Sequence, residues 1–291
     1  MKLKSFRLKI NNPTTIEFYT KVLGMQLQNT FDLPKGVLYI LYFENQNYTL
    51  ELFLEKEENT NPYLQKADDN YWKYSLFVYD IQRVYHKIKE HNIPIGEPYQ
   101  FGDVGYLSHT QDTEHHQIEF IQKTFKQNTI QTAPKENFPL LENPTMGLLT
   151  IRTKDPVKSV RFYEDLFDMK LLVRMQVERG RGFTLYFLGN KELTPPSQDI
   201  DAIENREWMY QQNHLFIEIQ YYWGSEHDHT FALHSNPLGF ASLTFVGDVS
   251  VIKNKLQQSN ISFSDHQDGS ETKNQIHFSS IDGLDIIVSD Q

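Results

Sequence analysis

Imidazole and carboxylate side chains gather at two places along this chain. Glu226-His227-Asp228-His229, with His234 close behind, has the donor types of a divalent metal site. The run follows Trp223-Gly224-Ser225 in a polar stretch, so it reads as a solvated loop whose imidazoles titrate in water. His115-His116 stand between Asp112-Thr113-Glu114 and an apolar strand, and read as a surface turn, with the mouth of a cleft as the alternative. Trp72 and Tyr74, and the run Tyr221-Tyr222-Trp223, alternate as strand residues do and read as core or pocket wall. Arg179-Gly180-Arg181-Gly182 is a basic turn too short for a nucleic-acid patch. With no cysteine, thiolate ligands, thiol nucleophiles and disulfides are excluded together. No phosphate-binding loop, dinucleotide fingerprint or Gly-x-Ser-x-Gly elbow is present.

The elements that must position these groups repeat. Phe18-Tyr19-Thr20-Lys21-Val22-Leu23-Gly24-Met25 recurs as Phe162-Tyr163-Glu164-Asp165-Leu166-Phe167-Asp168-Met169, and Tyr42-Phe43 recurs in step as Tyr186-Phe187. Leu76–Ile81 matches Thr244–Val249, after which Val84, Ile88 and Ile93 meet Ile252, Leu256 and Ile261 at helical spacing. The separation between copies is larger in this second pair, which marks Leu193–Gln212, with Pro195-Pro196, as an insertion. Phe6, Leu8 and Ile10 alternate as in a half-buried strand. Asn11–Thr15 then supplies turn and cap chemistry, and Ile16–Leu23 reads as a helix stopped by Gly24. Strand-like runs follow at Val37–Phe43 and Tyr48–Leu54. The pattern predicts an α+β protein of four βαβββ modules beginning near residues 3, 72, 146 and 240. They divide into a first half at 1–122, a linker at 123–145 carrying Pro134, Pro139 and Pro144, and a second half at 146–291.

Charge narrows the function. The 291 residues carry 28 Lys and Arg against 38 Asp and Glu, so a net charge of −10 argues against broad contact with nucleic acid or anionic lipid. No apolar run follows Met1-Lys2-Leu3-Lys4 and no stretch reaches membrane-span length. The expectation is a cytoplasmic protein, monomeric or homodimeric, with a small-molecule ligand and neither nucleic acid nor membrane as partner.

The repeat resembles the vicinal-oxygen-chelate superfamily, which includes glyoxalase I, bleomycin-resistance proteins and type I extradiol dioxygenases. Phe18–Met25 looks like the glyoxalase I helix signature. The second half is similar to longer glyoxalase I chains through Arg152-Thr153-Lys154-Asp155-Pro156, Phe183–Leu188, Glu218 followed by Trp223-Gly224-Ser225-Glu226, and Asn236-Pro237-Leu238-Gly239-Phe240. The resemblance implies two tandem glyoxalase-like halves, each a curved mixed sheet around a cleft. The first and last strands of each module then aim side chains at a shared divalent ion. In the glyoxalase reaction that ion holds an enediolate while a glutamate moves a proton.

Carried across residue by residue, the ligand positions of the first half fall on Ser5 or Lys4, Glu51, Lys73 and Glu119. Those of the second half fall on Leu148, Glu218, Ala241 or Ser242, and Ile287. Exchanging partners between halves gives Leu148, Glu218, Lys73 and Glu119, still two carboxylates and a lysine. No imidazole occupies a ligand position, and Lys73 would bring an ammonium group toward the cation's place. The resemblance therefore implies Glu119 as proton-moving base, and Glu51, Glu119 and Glu218 as the remaining ligands of any divalent metal ion. The alternative is an internal ion-pair remnant of Glu51, Glu119 and Lys73. Arg152 matches the family's anion-binding arginine, with a structural ion pair as its alternative reading, and Lys73 and Trp223 complete the expected substrate-binding set. Leu148, Ala241 and Ile287 stand where an extradiol dioxygenase takes His, His and Glu, so no iron site follows. The resulting expectation is a glyoxalase I-like protein with a depleted metal site that binds a small molecule in a strand-lined cleft. The alternatives are an active lactoylglutathione-lyase-type isomerase using Glu119 and a metal, or a metal-independent binding protein of the bleomycin-resistance type.

Overall fold

A computed structural model describes residues 1–56, 62–265 and 274–290. The first module comprises β1 (Lys2–Ile10), a short α1 (Thr15–Glu17) that continues as a π-helical turn (Phe18–Val22), β2 (Gln26–Leu33), β3 (Gly36–Tyr42) and β4 (Thr49–Glu55). The second comprises β5 (Tyr71–Val78), α2 (Ile81–Glu90), β6 (Tyr99–Phe101), β7 (Gly105–Gln111) and β8 (Gln117–Gln122). The third has β9 (Thr145–Thr153), α3 (Pro156–Phe167), β10 (Met169–Val177), β11 (Phe183–Asn190), an inserted α4 (Glu204–Gln211) and β12 (Phe216–Tyr222). The fourth has β13 (Phe240–Val246), α5 (Val249–Gln258), β14 (Ser264–Asp265), β15 (Gln275–Ser279) and β16 (Asp285–Ser289). The four βαβββ modules thus begin within a residue or so of the positions the repeat indicated.

Local chemistry explains the helices. Asp80, Asp155 and Asp248 are extended N-cap residues whose carboxylates accept from Arg83 N–H, Lys158 N–H, and both Ser250 and Val251 N–H. Pro156 opens α3 and Asp168, at φ 53°, closes it in the left-handed conformation. The first module lacks a side-chain cap of this kind. Instead Glu114, from the second module, accepts from the N–H groups of Asn11 and Asn12 at 3.0 and 2.8 Å. Gly24, at φ 81°, ends that helix. His116 departs from the surface-turn reading: it is fully buried, its ring stacks on Tyr63 at 4.7 Å, and Nε2 lies 2.8 Å from the Lys9 carbonyl. The polar run Asp112–His116 is inside because it serves the first module, Asp112 also accepting from the Tyr19 hydroxyl at 2.6 Å.

Among the described residues two eight-stranded sheets result, in the orders β14-β15-β16-β13-β1-β4-β3-β2 and β10-β11-β12-β9-β5-β8-β7-β6. The first sheet joins modules one and four through antiparallel β1 and β13; the second joins modules two and three through antiparallel β5 and β9. Each sheet therefore draws one module from either side of the 123–145 segment. Within each module the first and last strands run parallel. A continuous apolar core takes Phe18, Tyr19, Ile81, Val84, Phe162, Phe167, Ile252 and Leu256 from the helices together with strand residues of both sheets. A smaller cluster lies around Phe77, Leu148, Phe187, Phe216 and the α4 residues Met209 and Tyr210. The segment 123–145 packs rather than spans: Leu140 is buried, and Glu142 accepts from Tyr79 and Asp80 N–H at 2.7 Å each.

Candidate functional site

The parallel registers fix which side chains share a face. Arg7 lies opposite Glu51, Ser75 opposite Glu119, Thr150 opposite Glu218 and Thr244 opposite Ile287. Because side chains alternate along a strand, the residues two positions earlier on the first strands, Ser5, Lys73, Leu148 and Ser242, share those faces. In the first module and the fourth this selects Ser5 over Lys4 and Ser242 over Ala241.

The second sheet brings Lys73, Glu119, Leu148 and Glu218 together. They line a cavity of about 400 Å³ with Trp72, Tyr99, Phe101, Leu107, His109, Phe183, Phe187, Gln220 and Tyr222, while Arg179 stands on its rim. Lys73 and Glu119 are 3% and 4% exposed, and the Lys73 ammonium makes a short ion pair with Glu119 Oε2. The same oxygen accepts from Ser75 Oγ at 2.7 Å. His109, directly opposite Glu119 on β7, places Nε2 3.0 Å from Glu119 Oε1. Burial by itself would push the Glu119 carboxyl up; Lys73 and His109 outweigh it and hold the group well below the usual carboxylate range. Glu218 differs. Its Oε2 accepts from Thr150 Oγ1, and burial, reinforced by the Glu119 charge and opposed by Lys73, raises its proton affinity above the ordinary value. The cleft therefore holds a fixed ion pair beside a second carboxyl of opposite protonation tendency. Lys73 Nζ also lies 4.6 Å from the centre of the Trp72 ring.

Glu51 is elsewhere. It sits in a second cleft of about 260 Å³ on the first sheet, lined in part by Ser5, Arg7, Thr244 and Ile287. Arg7 Nε and Ser5 Oγ reach its two oxygens at 2.8 and 2.6 Å. The grouping of Glu51 with Glu119 and Lys73, expected from pairing modules within a half, does not form, because β1 pairs with β13 and β5 with β9.

Arg152 lies behind the second-sheet cleft, 4% exposed. Its guanidinium stacks 5.0 Å from the Trp72 ring centre and donates to the Asp69 carbonyl at 2.9 Å and to Gln220 Oε1 at 3.3 Å. Trp223 does not line the cleft. Alternation on β12 turns Tyr222 inward and Trp223 outward, where the indole N–H donates to Thr184 Oγ1 at 2.8 Å. His227 and His229 are exposed, and Asp228 of the same loop pairs with Arg181 at 3.4 Å. Among the described residues no three His, Asp or Glu side chains converge with metal-holding geometry.

Two contributors were not singled out in the sequence. His109 lies on a middle strand of its module, outside the first and last strands that carry the implied ligand positions, yet alternation from Leu107 places it on the same face of β7. Tyr210 comes from the insertion; α4 carries it into the cleft wall, its hydroxyl donating to the Val104 carbonyl at 2.7 Å.

Comparison with known proteins agrees with this architecture. The family model described as "Glyoxalase/Bleomycin resistance protein/Dioxygenase superfamily" matches residues 12–120. Glyoxalase I of Saccharomyces cerevisiae is 27% identical over 263 residues, 81% of this chain and 74% of its own. Lactoylglutathione lyase of Pseudomonas aeruginosa is 35% identical over 97 residues, 33% of this chain and 53% of its own. The crystal structure of glyoxalase I from Zea mays superposes with a TM-score of 0.71 at 18% identity, covering 99% of this chain and 92% of that one. No helix among the described residues is long and apolar enough to cross a membrane. Residues 12–120 thus match a domain of the glyoxalase/bleomycin resistance protein/dioxygenase superfamily, and the paired βαβββ modules share the tandem fold of the Zea mays glyoxalase I structure.

Proposed function

We propose that this glyoxalase I-like protein binds a small, largely apolar molecule in the second-sheet cleft, with the Lys73 ammonium standing where the superfamily resemblance implies a divalent ion. The ion pair of Lys73 with Glu119 carries the reading. Of the four implied ligand positions, Leu148 has no donor atom, Lys73 brings a positive charge, and Glu119 is neutralised by it. Glu218 alone is left without a cationic partner in contact, and the nearest imidazole, His109, is engaged with Glu119. A zinc- or nickel-type centre asks for three or four oxygen and nitrogen donors, imidazole among them. These residues do not fit a metal ion. Lys73 instead supplies fixed N–H donors at the floor for a neutral ligand oxygen, and the aromatic walls exclude water from the apolar remainder.

An isomerase reading has one observation in its favour, the opposed proton affinities of Glu119 and Glu218. It assigns proton transfer to Glu218, since a carboxylate held far below its ordinary value is a weak base.

A thermal-shift screen of small aromatic and aliphatic compounds, with and without chelator, tests the binding reading. It expects stabilising compounds whose effect the chelator leaves unchanged and Lys73→Met abolishes. Turnover of the methylglyoxal–glutathione adduct that depends on added nickel, zinc or manganese would overturn it.

A further inference from the structure

The charges of the second-sheet cleft are unevenly placed. At its floor Glu119 is engaged by Lys73 and His109, and Glu218 by Thr150. The walls toward the rim are apolar, with Phe101, Phe183 and Phe187 prominent. On the rim stands Arg179, exposed in the turn between β10 and β11, its guanidinium 5.7 Å from the centre of the Phe101 ring. No carboxylate of the described residues lies within 4.0 Å of it, whereas Arg181 in the same turn is paired with Asp228. The contrast has weight in a chain with 38 acidic and 28 basic residues, where a guanidinium meets a carboxylate readily. Arg152, behind Trp72, donates to the Lys66 and Asp69 carbonyls and to Gln220, stacks on Trp72 and interacts with the Tyr222 hydroxyl.

The turn is held in place. Trp223 N–H donates to the Gly182 carbonyl at 3.1 Å, and Arg181 Nε donates to the Trp223 carbonyl at 3.2 Å. The Trp223 ring covers Gly182, which has φ +78°. Trp223 is thus a positioning residue for the rim. A guanidinium lying over an aromatic face keeps its N–H fork free for a planar, two-oxygen acceptor. At the floor the Lys73 ammonium is already matched by Glu119, with the Glu218 carboxyl beside them, which leaves the unpaired rim guanidinium for the anionic end of a ligand.

We propose that Arg179 is the anion-recognising residue of this cleft, and that the ligand is a compact monocarboxylate whose aromatic-sized body lies against Phe101, Phe183 and Phe187 with its carboxylate on the Arg179 fork. The inference rests on the ligand-binding reading above and names its ligand class. A cavity of about 400 Å³ accommodates one or two fused rings with a short acid arm.

Isothermal titration with 2-naphthylacetate and with its neutral amide, 2-naphthylacetamide, tests it. The carboxylate is expected to bind about tenfold more tightly than the amide. That preference falls as salt is raised, because the contact is exposed. Arg179→Gln removes the preference by weakening the acid and sparing the amide, Arg179→Lys keeps part of it, and Arg181→Gln leaves it intact. Equal affinities in the unaltered protein, or a preference that survives Arg179→Gln at an unchanged melting temperature, overturn the proposal while leaving the binding reading in place. Binding of neither probe, or binding only with added metal, overturns both.

Discussion

Replacing Lys73 by methionine keeps most of the side-chain volume and removes the ammonium group, leaving Glu119 buried without its main counter-charge. At contact separation and an effective dielectric of about 20, the lost attraction is roughly 5 kcal/mol. Both side chains are nearly inaccessible, so solvent screens this pair little. Measured losses on breaking such buried pairs are about 3–5 kcal/mol, and that is the expected fall in unfolding free energy at pH 7. The loss is pH-dependent. In the unaltered protein Glu119 is depressed below its ordinary value of 4.5, so its contribution is present above that pH and fades as pH falls through the lower folded-state value. Without Lys73, His109 alone opposes the effect of burial on the carboxyl, so most of the stabilisation present at neutral pH is lost. The gap between the two proteins is therefore widest near neutrality and closes toward pH 4. Lys73→Met/Glu119→Gln removes both charges and should recover to within about 1–2 kcal/mol of the parent, giving a coupling energy of about 2 kcal/mol or more. Urea unfolding at several pH values reads all of this. A single-variant loss under about 1 kcal/mol, a loss independent of pH, or additive single and double variants would refute the reasoning.

Two further outcomes follow from buried or strained positions elsewhere. Gly182→Ala places a Cβ 2.2 Å from the Trp223 ring at a residue with φ +78°, and should lower stability by about 2–3 kcal/mol with a change in tryptophan emission. Asp282 is half-buried, accepts from Ser159 Oγ at 2.7 Å, and is pushed up from 3.8 to about 6 chiefly by desolvation. Its favourable contribution is complete below about pH 4 and disappears as pH rises through about 6, so Asp282→Asn should flatten the decline in unfolding free energy across that window. A decline as steep as the parent's would count against it.

Much of the fold is written locally. Apolar alternation, aspartate N-caps and the positions of Gly24 and Asp168 mark module starts and helix ends, because those signals depend only on neighbours a few residues away. Glu119, Glu218, Leu148 and Lys73 were legible as one set only through the family resemblance, with partners exchanged between halves; each strand's period of two then accounts for their shared face. Which modules share a sheet was not legible. The edges of β1 and β5 offer backbone N–H and C=O groups that name no partner, so Glu51 was grouped with residues that lie across another cleft. The Glu114–His116 run misled because polar composition ordinarily means solvent, whereas here Glu114 and His116 satisfy backbone groups of the first module. Trp223 shows the cost of reading adjacent aromatics together; neighbours on a strand face opposite ways, and only Tyr222 reaches the cavity.

Calorimetric titration of chelator-treated protein with zinc, nickel and manganese, repeated on Glu218→Gln, addresses the central claim most directly. A cleft whose cation is the Lys73 ammonium predicts no stoichiometric uptake that Glu218→Gln abolishes. One tightly held ion per chain, lost in that variant, would contradict it.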